Sequence, residues 1–184
     1  MIGFPYTMEL YVIQVKTGEE QKYIQLFRSI HPTFASHLDF HTPTRALFIR
    51  RRGKVRKEQK PLFPGYIFLE LQEFSVELYQ AFKGISGFFR FLPENQKIQP
   101  LDQQAKEIIT QLIHHGNPLG ISKVTFREDG KIKVISGPLE GLEGKIVKVD
   151  KRKRRARIRL DMYETAHLID LGFEELEPAG EERR

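Results

Sequence analysis

The feature that most constrains this chain is a change of hydrophobic period close to residue 116. Beyond it, Lys131–Ile135 (KIKVI), Gly144–Val149 (GKIVKV), Ala156–Leu160 (ARIRL) and His167–Leu171 (HLIDL) are short runs of alternating character separated by turn residues. Alternation with period two places one face of a strand in a core and the other in water. Strands this short and this closely spaced suit a small antiparallel barrel. Before residue 116 the period is mixed, so the two parts of the chain cannot share one architecture.

In the first part, Glu9–Val15 (ELYVIQV) reads as a strand and Lys16-Thr17-Gly18 as a turn. Tyr23, Ile24, Phe27 and Ile30 then share one face of a helix from Glu19 to about His31, where Pro32 stops it. Ala46–Ile49 predicts a strand, Arg50–Lys57 a basic turn leading into a short strand, and Pro61–Gly65 a corner. Tyr66–Leu71 is a further strand, Ser75 caps a helix over Val76–Lys83, and Gly84–Leu92 holds another short strand. Asp102 caps a second clear helix with Ala105, Ile108, Ile109, Leu112 and Ile113 on one face, ended by Gly116 and Pro118. This gives an α+β domain over residues 9–115, a linker over 116–128 that is poor in large apolar residues, and an all-β domain over 129–177. The tail Pro178–Arg184 is polar.

Composition removes whole classes of function. The 184 residues include no cysteine, which rules out disulfides, thiolate zinc sites and a cysteine nucleophile, and the expected address is a reducing cytoplasm. No run approaches the roughly 18 apolar residues of a membrane-spanning helix, and the N-terminus lacks an export signal's basic and apolar regions, so neither membrane nor export is expected. His37 and His41 have the i, i+4 spacing of a ligand pair, but no third ligand stands at a convincing distance and Pro43 closes the stretch. His114 and His115 diverge by about 100° on a helix. There is no P-loop and no G-x-S-x-G, and the glycines at 137, 141 and 144 lie between strands among acidic residues. No enzyme, metal site or cofactor is expected.

What remains is charge. Lys+Arg number 30 against 24 Asp+Glu, a net +6, and the excess is concentrated. Residues 45–60 hold eight Lys/Arg and one acid, Glu58; residues 145–159 hold nine and one acid, Asp150. Each cluster sits at a predicted hairpin, with Arg50, Arg51 and Arg52 in the first and Lys151, Arg152, Lys153, Arg154 and Arg155 in the second. A few charges suffice to keep strand edges apart. Five in a row exceed that need and form the electrostatic footprint that phosphates require. Aromatic residues crowd the middle third, from Phe63 to Phe91, and most of those rings must pack in a core.

Two motifs make the chain recognisable. Pro61-Leu62-Phe63-Pro64-Gly65-Tyr66-Ile67-Phe68, some fifty residues after Tyr11-Val12-Ile13-Gln14-Val15-Lys16-Thr17-Gly18, resembles the N-terminal domain of the NusG family of transcription elongation factors. The stretch Asp129–Asp150, with its Gly137-Pro138-Leu139-Glu140-Gly141-Leu142-Glu143-Gly144 loop, resembles the KOW motif that opens the family's C-terminal barrel. The resemblance implies an α+β NGN domain, an antiparallel sheet flanked by helices, followed by a small all-β SH3-like KOW barrel. It implies a monomer that binds the clamp helices of the largest RNA polymerase subunit through Tyr11, Phe63, Pro64, Tyr66 and Phe68. Lys16, Lys22 and Lys83 are the positions it carries over for the upstream fork and the non-template DNA strand. Leu139, Leu142 and Tyr163 are those for ribosomal protein S10 or the termination factor Rho.

The departures from the family pattern point to a branch. Leu139 and Leu142 stand where the family usually has Phe, and Tyr163-Glu164-Thr165 replaces an aromatic-Gly-Arg turn. The Lys151–Arg155 hairpin is also more basic than a housekeeping member's. The arrangement is most similar to the specialised LoaP-type antiterminators, which contact nascent RNA. The expected function is processive, operon-specific antitermination. A general NusG-type factor is the alternative within the family, and a KOW-containing ribosomal or rRNA-binding protein the alternative outside it.

Overall fold

The computed structural model describes residues 8–176, which divide into two compact units, residues 8–42 with 63–106, and residues 43–62 with 107–176. The elements in order are β1 (Glu9–Val15), α1 (Glu20–Ile30), α2 (Pro32–Ala35), β2 (Asp39–His41), β3 (Thr44–Arg51), β4 (Lys54–Pro61), β5 (Tyr66–Leu71), α3 (Val76–Lys83), β6 (Phe88–Phe91), β7 (Pro93–Glu94), β8 (Lys97–Ile98), α4 (Gln103–His114), β9 (Ser122–Phe126), β10 (Ile132–Ser136), β11 (Ile146–Asp150), β12 (Arg155–Met162) and β13 (Thr165–Glu175). Among the described residues no helix is long and apolar enough to cross a membrane.

The first unit is built on an antiparallel sheet of order β2-β5-β1-β6. One face carries Tyr11, Ile13, Val15, Ile67 and Leu69, which pack with Tyr23, Ile24 and Phe27 of α1 and Leu78, Ala81 and Phe82 of α3. The helical spacing at positions 23, 24 and 27 therefore does what its period requires, putting one stripe against the sheet. Pro32 ends α1 and also opens α2, where its fixed φ suits the first turn. The caps expected at Ser75 and Asp102 both form: Leu78 N–H donates to Ser75 Oγ at 3.1 Å and Ala105 N–H to Asp102 Oδ1 at 2.8 Å.

The second unit holds a curled five-stranded sheet of order β10-β9-β13-β12-β11, the architecture of a KOW barrel. β13 is long enough to pair with β12 along residues 165–172 and then, in parallel, with β9 along 173–175. The expected alternation is borne out at Ala156, Ile158 and Leu160, all buried. Two expectations are corrected. The segment read as a linker contains β9, an interior strand of this sheet whose Ser122 and Val124 are wholly buried. Its apolar content was too low to signal a strand because the polar Ser122 serves as a core residue, its Oγ accepting from Leu139 N–H at 3.0 Å. Residues 43–62, read as part of the N-terminal domain, group with the barrel. Glu177 and the tail lie outside the described residues.

Candidate nucleic-acid interface

The run Arg50–Lys57 is not a broad turn. β3 and β4 are two eight-residue strands in register from Thr44↔Pro61 to Arg51↔Lys54, so the loop is only Arg52-Gly53. Both residues have positive φ, +48° and +77°, as a type I′ turn requires to match the twist of its strands. Arg50, Arg51 and Arg52 stand exposed at this tip, Arg51 reaching Glu58 at 3.4 Å.

The second basic run is a four-residue turn between Asp150 and Arg155. Asp150 Oδ1 accepts from Lys153 N–H at 2.8 Å and Lys151 C=O from Arg154 N–H at 3.2 Å, which folds the turn back on itself. Lys151 Nζ lies 3.6 Å from the centre of the Phe126 ring, a cation–π contact. Arg154 lies over Phe48 at 5.2 Å, and Arg155 donates through Nη2 to Phe48 C=O at 3.4 Å.

These contacts bring the two clusters together within one unit. β3 is tied beside the barrel by Ala46 N–H to Leu119 C=O at 2.9 Å and Leu119 N–H to Thr44 C=O at 2.7 Å. Between the hairpin and the turn runs a groove of about 710 Å³ lined by Phe48, Ile49, Arg50 and Val55 from the hairpin and Lys151–Arg155 from the turn. Cationic side chains around the exposed Val55 and the half-buried Phe48, whose ring lies against Arg154, can hold a phosphate backbone. Sequence reasoning missed Phe48 and Val55. Phe48 lay within the apolar run Ala46–Ile49, while Val55 stands as a single apolar residue amid charge and was masked by reading the basic run as loop.

Beneath the groove lies a cluster that the sequence did not suggest. Asp170 on β13 takes Arg157 on both oxygens, at 2.6 and 3.1 Å, and has Arg155 Nη1 at 3.8 Å. The Arg157 guanidinium holds the Asp170 carboxyl below the usual carboxylate range, against partial burial. Arg45 on β3 belongs to the same electrostatic group, and burial pulls its pKa down while Asp170 opposes the shift.

The remaining expected positions are distributed as follows. Lys16 and Lys22 flank Glu19 at 2.5 and 3.9 Å, and the Lys16 hydrogen bond lowers the Glu19 pKa. Lys83 ends α3, 5.9 Å above the Tyr79 ring. These three belong to the first unit. The five positions carried over for polymerase do not form one patch. In the register Tyr11↔Leu69 and Val12↔Phe68, Tyr11 faces the helices while Phe68 faces the opposite side of the sheet. Phe63 and Phe68 are buried, edge to face at 5.1 Å; Pro64 is exposed and Tyr66 half-buried. In the KOW loop, Leu139 and Leu142 are core residues, 0% and 3% exposed, because the loop folds over the barrel with Leu142 N–H donating to Leu139 C=O at 3.0 Å. Tyr163 is half-buried in the β12–β13 turn. His41 is on β2 and not on a helix, and its Nε2 lies 3.1 Å from Glu70, so the i, i+4 ligand geometry with His37 does not form. Among the described residues no three His, Asp or Glu gather in a metal-holding arrangement.

Fold and groove together define a class: a binding protein made of an α+β sheet unit and a KOW-type barrel. The family described as transcription termination factor nusG matches residues 8–110, and the KOW motif matches residues 128–161. The chain belongs to the NusG family of transcription termination/antitermination factors, which is a non-enzymatic family. It is 22% identical over 171 residues to the transcription termination/antitermination protein NusG of Pasteurella multocida, covering 91% of this chain and 93% of that one. It is 22% identical over 137 residues to that of Thermus thermophilus, covering 70% and 73%. A solved structure of Thermotoga maritima NusG shares the fold with a TM-score of 0.55 at 20% identity, covering 90% of this chain and 94% of that one.

Proposed function

We propose that this chain is a transcription elongation factor that binds RNA polymerase through its first unit and contacts nascent RNA through the second, as an operon-specific processive antiterminator. One observation carries the RNA reading: two basic hairpins a hundred residues apart in sequence line a single groove. Two solvated hairpins that merely discouraged strand pairing would have no reason to converge. The burial of Leu139 and Leu142 leaves a general factor coupled to Rho or ribosomal protein S10 with only the half-buried Tyr163 of the three positions carried over for it, which favours the specialised branch. For polymerase, the supporting surface is the Pro64–Tyr66 corner, with Tyr11 set aside. Its turn is fixed by Tyr66 N–H donating to Phe63 C=O at 3.1 Å and by Gly65 at φ +83°.

The test is the salt dependence of RNA binding. Replacing Lys151–Arg155 with Gln lowers the slope of log affinity against log salt by about 0.7 for each single-strand phosphate that is no longer neutralised. Replacing Arg50 and Arg52 does the same, and the combined variant falls short of the sum because both walls hold one strand. An unchanged slope in either variant would refute the groove as an RNA site. Retention of core polymerase by wild type, and its loss in Tyr66→Ala, tests the first unit separately.

A further inference from the structure

We infer that the small cleft beside the basic turn is a binding site for a single phosphate group. The cleft, about 120 Å³, is lined by Lys148, Asp150, Lys153, Arg155, Arg157 and Asp170. That is the liquid volume of about four waters, room for a phosphate group but not for a nucleoside.

Its charges do not balance. Four cations face two carboxylates, and both carboxylates already have partners: Asp170 is held by Arg157 on both oxygens, and Asp150 accepts the Lys153 backbone N–H at 2.8 Å. Arg155 is left poorly matched. Its Nη2 makes one long bond to Phe48 C=O at 3.4 Å, its Nη1 stands 3.8 Å from Asp170, beyond hydrogen-bond reach, and its Nε is buried with no partner. Arg45, electrostatically coupled to Arg155, Arg157 and Asp170, adds a further charge, with Nε and Nη1 likewise buried and unpartnered. A guanidinium cannot relieve such crowding by losing its proton. A tetrahedral dianion supplies the missing negative charge, and its oxygens match the fork of an arginine and the ammonium groups of Lys148 and Lys153.

The source of the phosphate follows from position. Lys153 and Arg155 line both this cleft and the groove, so a strand in the groove can set one backbone phosphate into the cleft. That assignment rests on the RNA reading above; free phosphate shares the chemistry and does not need it. The cleft then acts as an anchor that fixes the strand's register, while the groove walls supply general attraction.

The experiment is a titration of the full ¹⁵N-labelled chain with inorganic phosphate, against sodium chloride at matched ionic strength, reading the Arg155 and Arg157 side-chain Nε–H signals. A saturable shift with phosphate that chloride does not reproduce is expected. In the Lys148→Gln, Lys153→Gln double variant, both exposed positions, the midpoint weakens at least about tenfold with the rest of the spectrum unchanged. Equal shifts in chloride, or an unchanged midpoint in the variant, overturn the site. Adding RNA then separates the two readings. Displacement of the phosphate signal by RNA supports the backbone source, and a saturable phosphate shift with no RNA binding keeps the cleft but removes the RNA groove. RNA binding without any phosphate-specific shift keeps the groove and removes the cleft.

Discussion

In the first unit the core is made of rings. Phe27 stacks on Phe82 at 4.1 Å, Phe82 meets Phe91 edge to face at 5.5 Å, and the Tyr23 hydroxyl donates to Phe82 C=O at 2.6 Å. In the second unit the interior is mainly aliphatic, with Ala156, Ile158, Leu160, Ile169 and Leu171 facing inward, and charged groups crowd its margin around Asp170. A ring core buries large area without carboxylates or cationic side chains, so its stability responds little to salt or to acid pH. An arginine cluster sharing one carboxylate adds little net stability and makes the unit sensitive to both. The difference matches what each unit is proposed to do, one serving as a platform and the other reading a polyanion.

The sharpest way to break this comparison is Phe82→Ala. The ring is fully buried among four others, so its loss costs about 3 to 5 kcal/mol. Peptide-resolved hydrogen exchange should show protection falling in β1, β5 and α1 while the barrel strands keep theirs; an equal fall in both would show that the units share one core. Next is Gly172→Val in the second unit. A Cβ there would stand 2.9 Å from Ala46 C=O and 2.5 Å from Ile121 Cδ1, so the substitution forces β3 away from β13 at about 1 to 3 kcal/mol. The groove should lose its RNA affinity with the hairpin, and an unaltered affinity would mean that β3 is not needed to build it.

Asp170→Asn sharpens the electrostatic half. It leaves Arg157 and Arg155 without their carboxylate, at about 1 to 2 kcal/mol after solvent screening. The folded Asp170 has the lower pKa, so its contribution is complete above the unfolded carboxylate value of about 4 and is lost as pH falls through the folded value. Denaturant midpoints measured from pH 2 to 6 should therefore show a shallower acid limb in the variant than in the wild type. The smallest effect is expected at Ser75→Ala, which removes the α3 cap for about 1 kcal/mol, with exchange rising at Leu78 and leaving the second unit untouched.

The strands and helices that bury a whole face were legible from period alone, as at Glu9–Val15, α1 and Ala156–Leu160. β9 was not, because its core residue Ser122 holds its place through a hydrogen bond rather than through hydrophobicity. The Arg50–Lys57 run was read as a turn because β4 is exposed along most of its length and so carries little burial pattern, leaving the two-residue Arg52-Gly53 loop hidden inside the charge. Leu139 and Leu142 were assigned to a partner-binding surface by resemblance, and burial moved them to the core. Tyr11 and Phe68 were grouped by motif, and strand register separated them.

The sequence by itself determined the α+β and all-β characters of its two parts, the family resemblance, and the presence of two strongly basic segments, because periodicity, turn chemistry and charge are local properties that a chain carries wherever it goes. Only the tertiary structure decided that the segments meet, that Phe48 lies between them, and that Arg45, Arg155 and Arg157 crowd around one Asp170. Those facts depend on which strands lie side by side, and pairing between β3 and the barrel joins residues more than seventy positions apart. No local pattern encodes that separation; it is settled by the backbone hydrogen bonds and close packing that the folded chain makes at once.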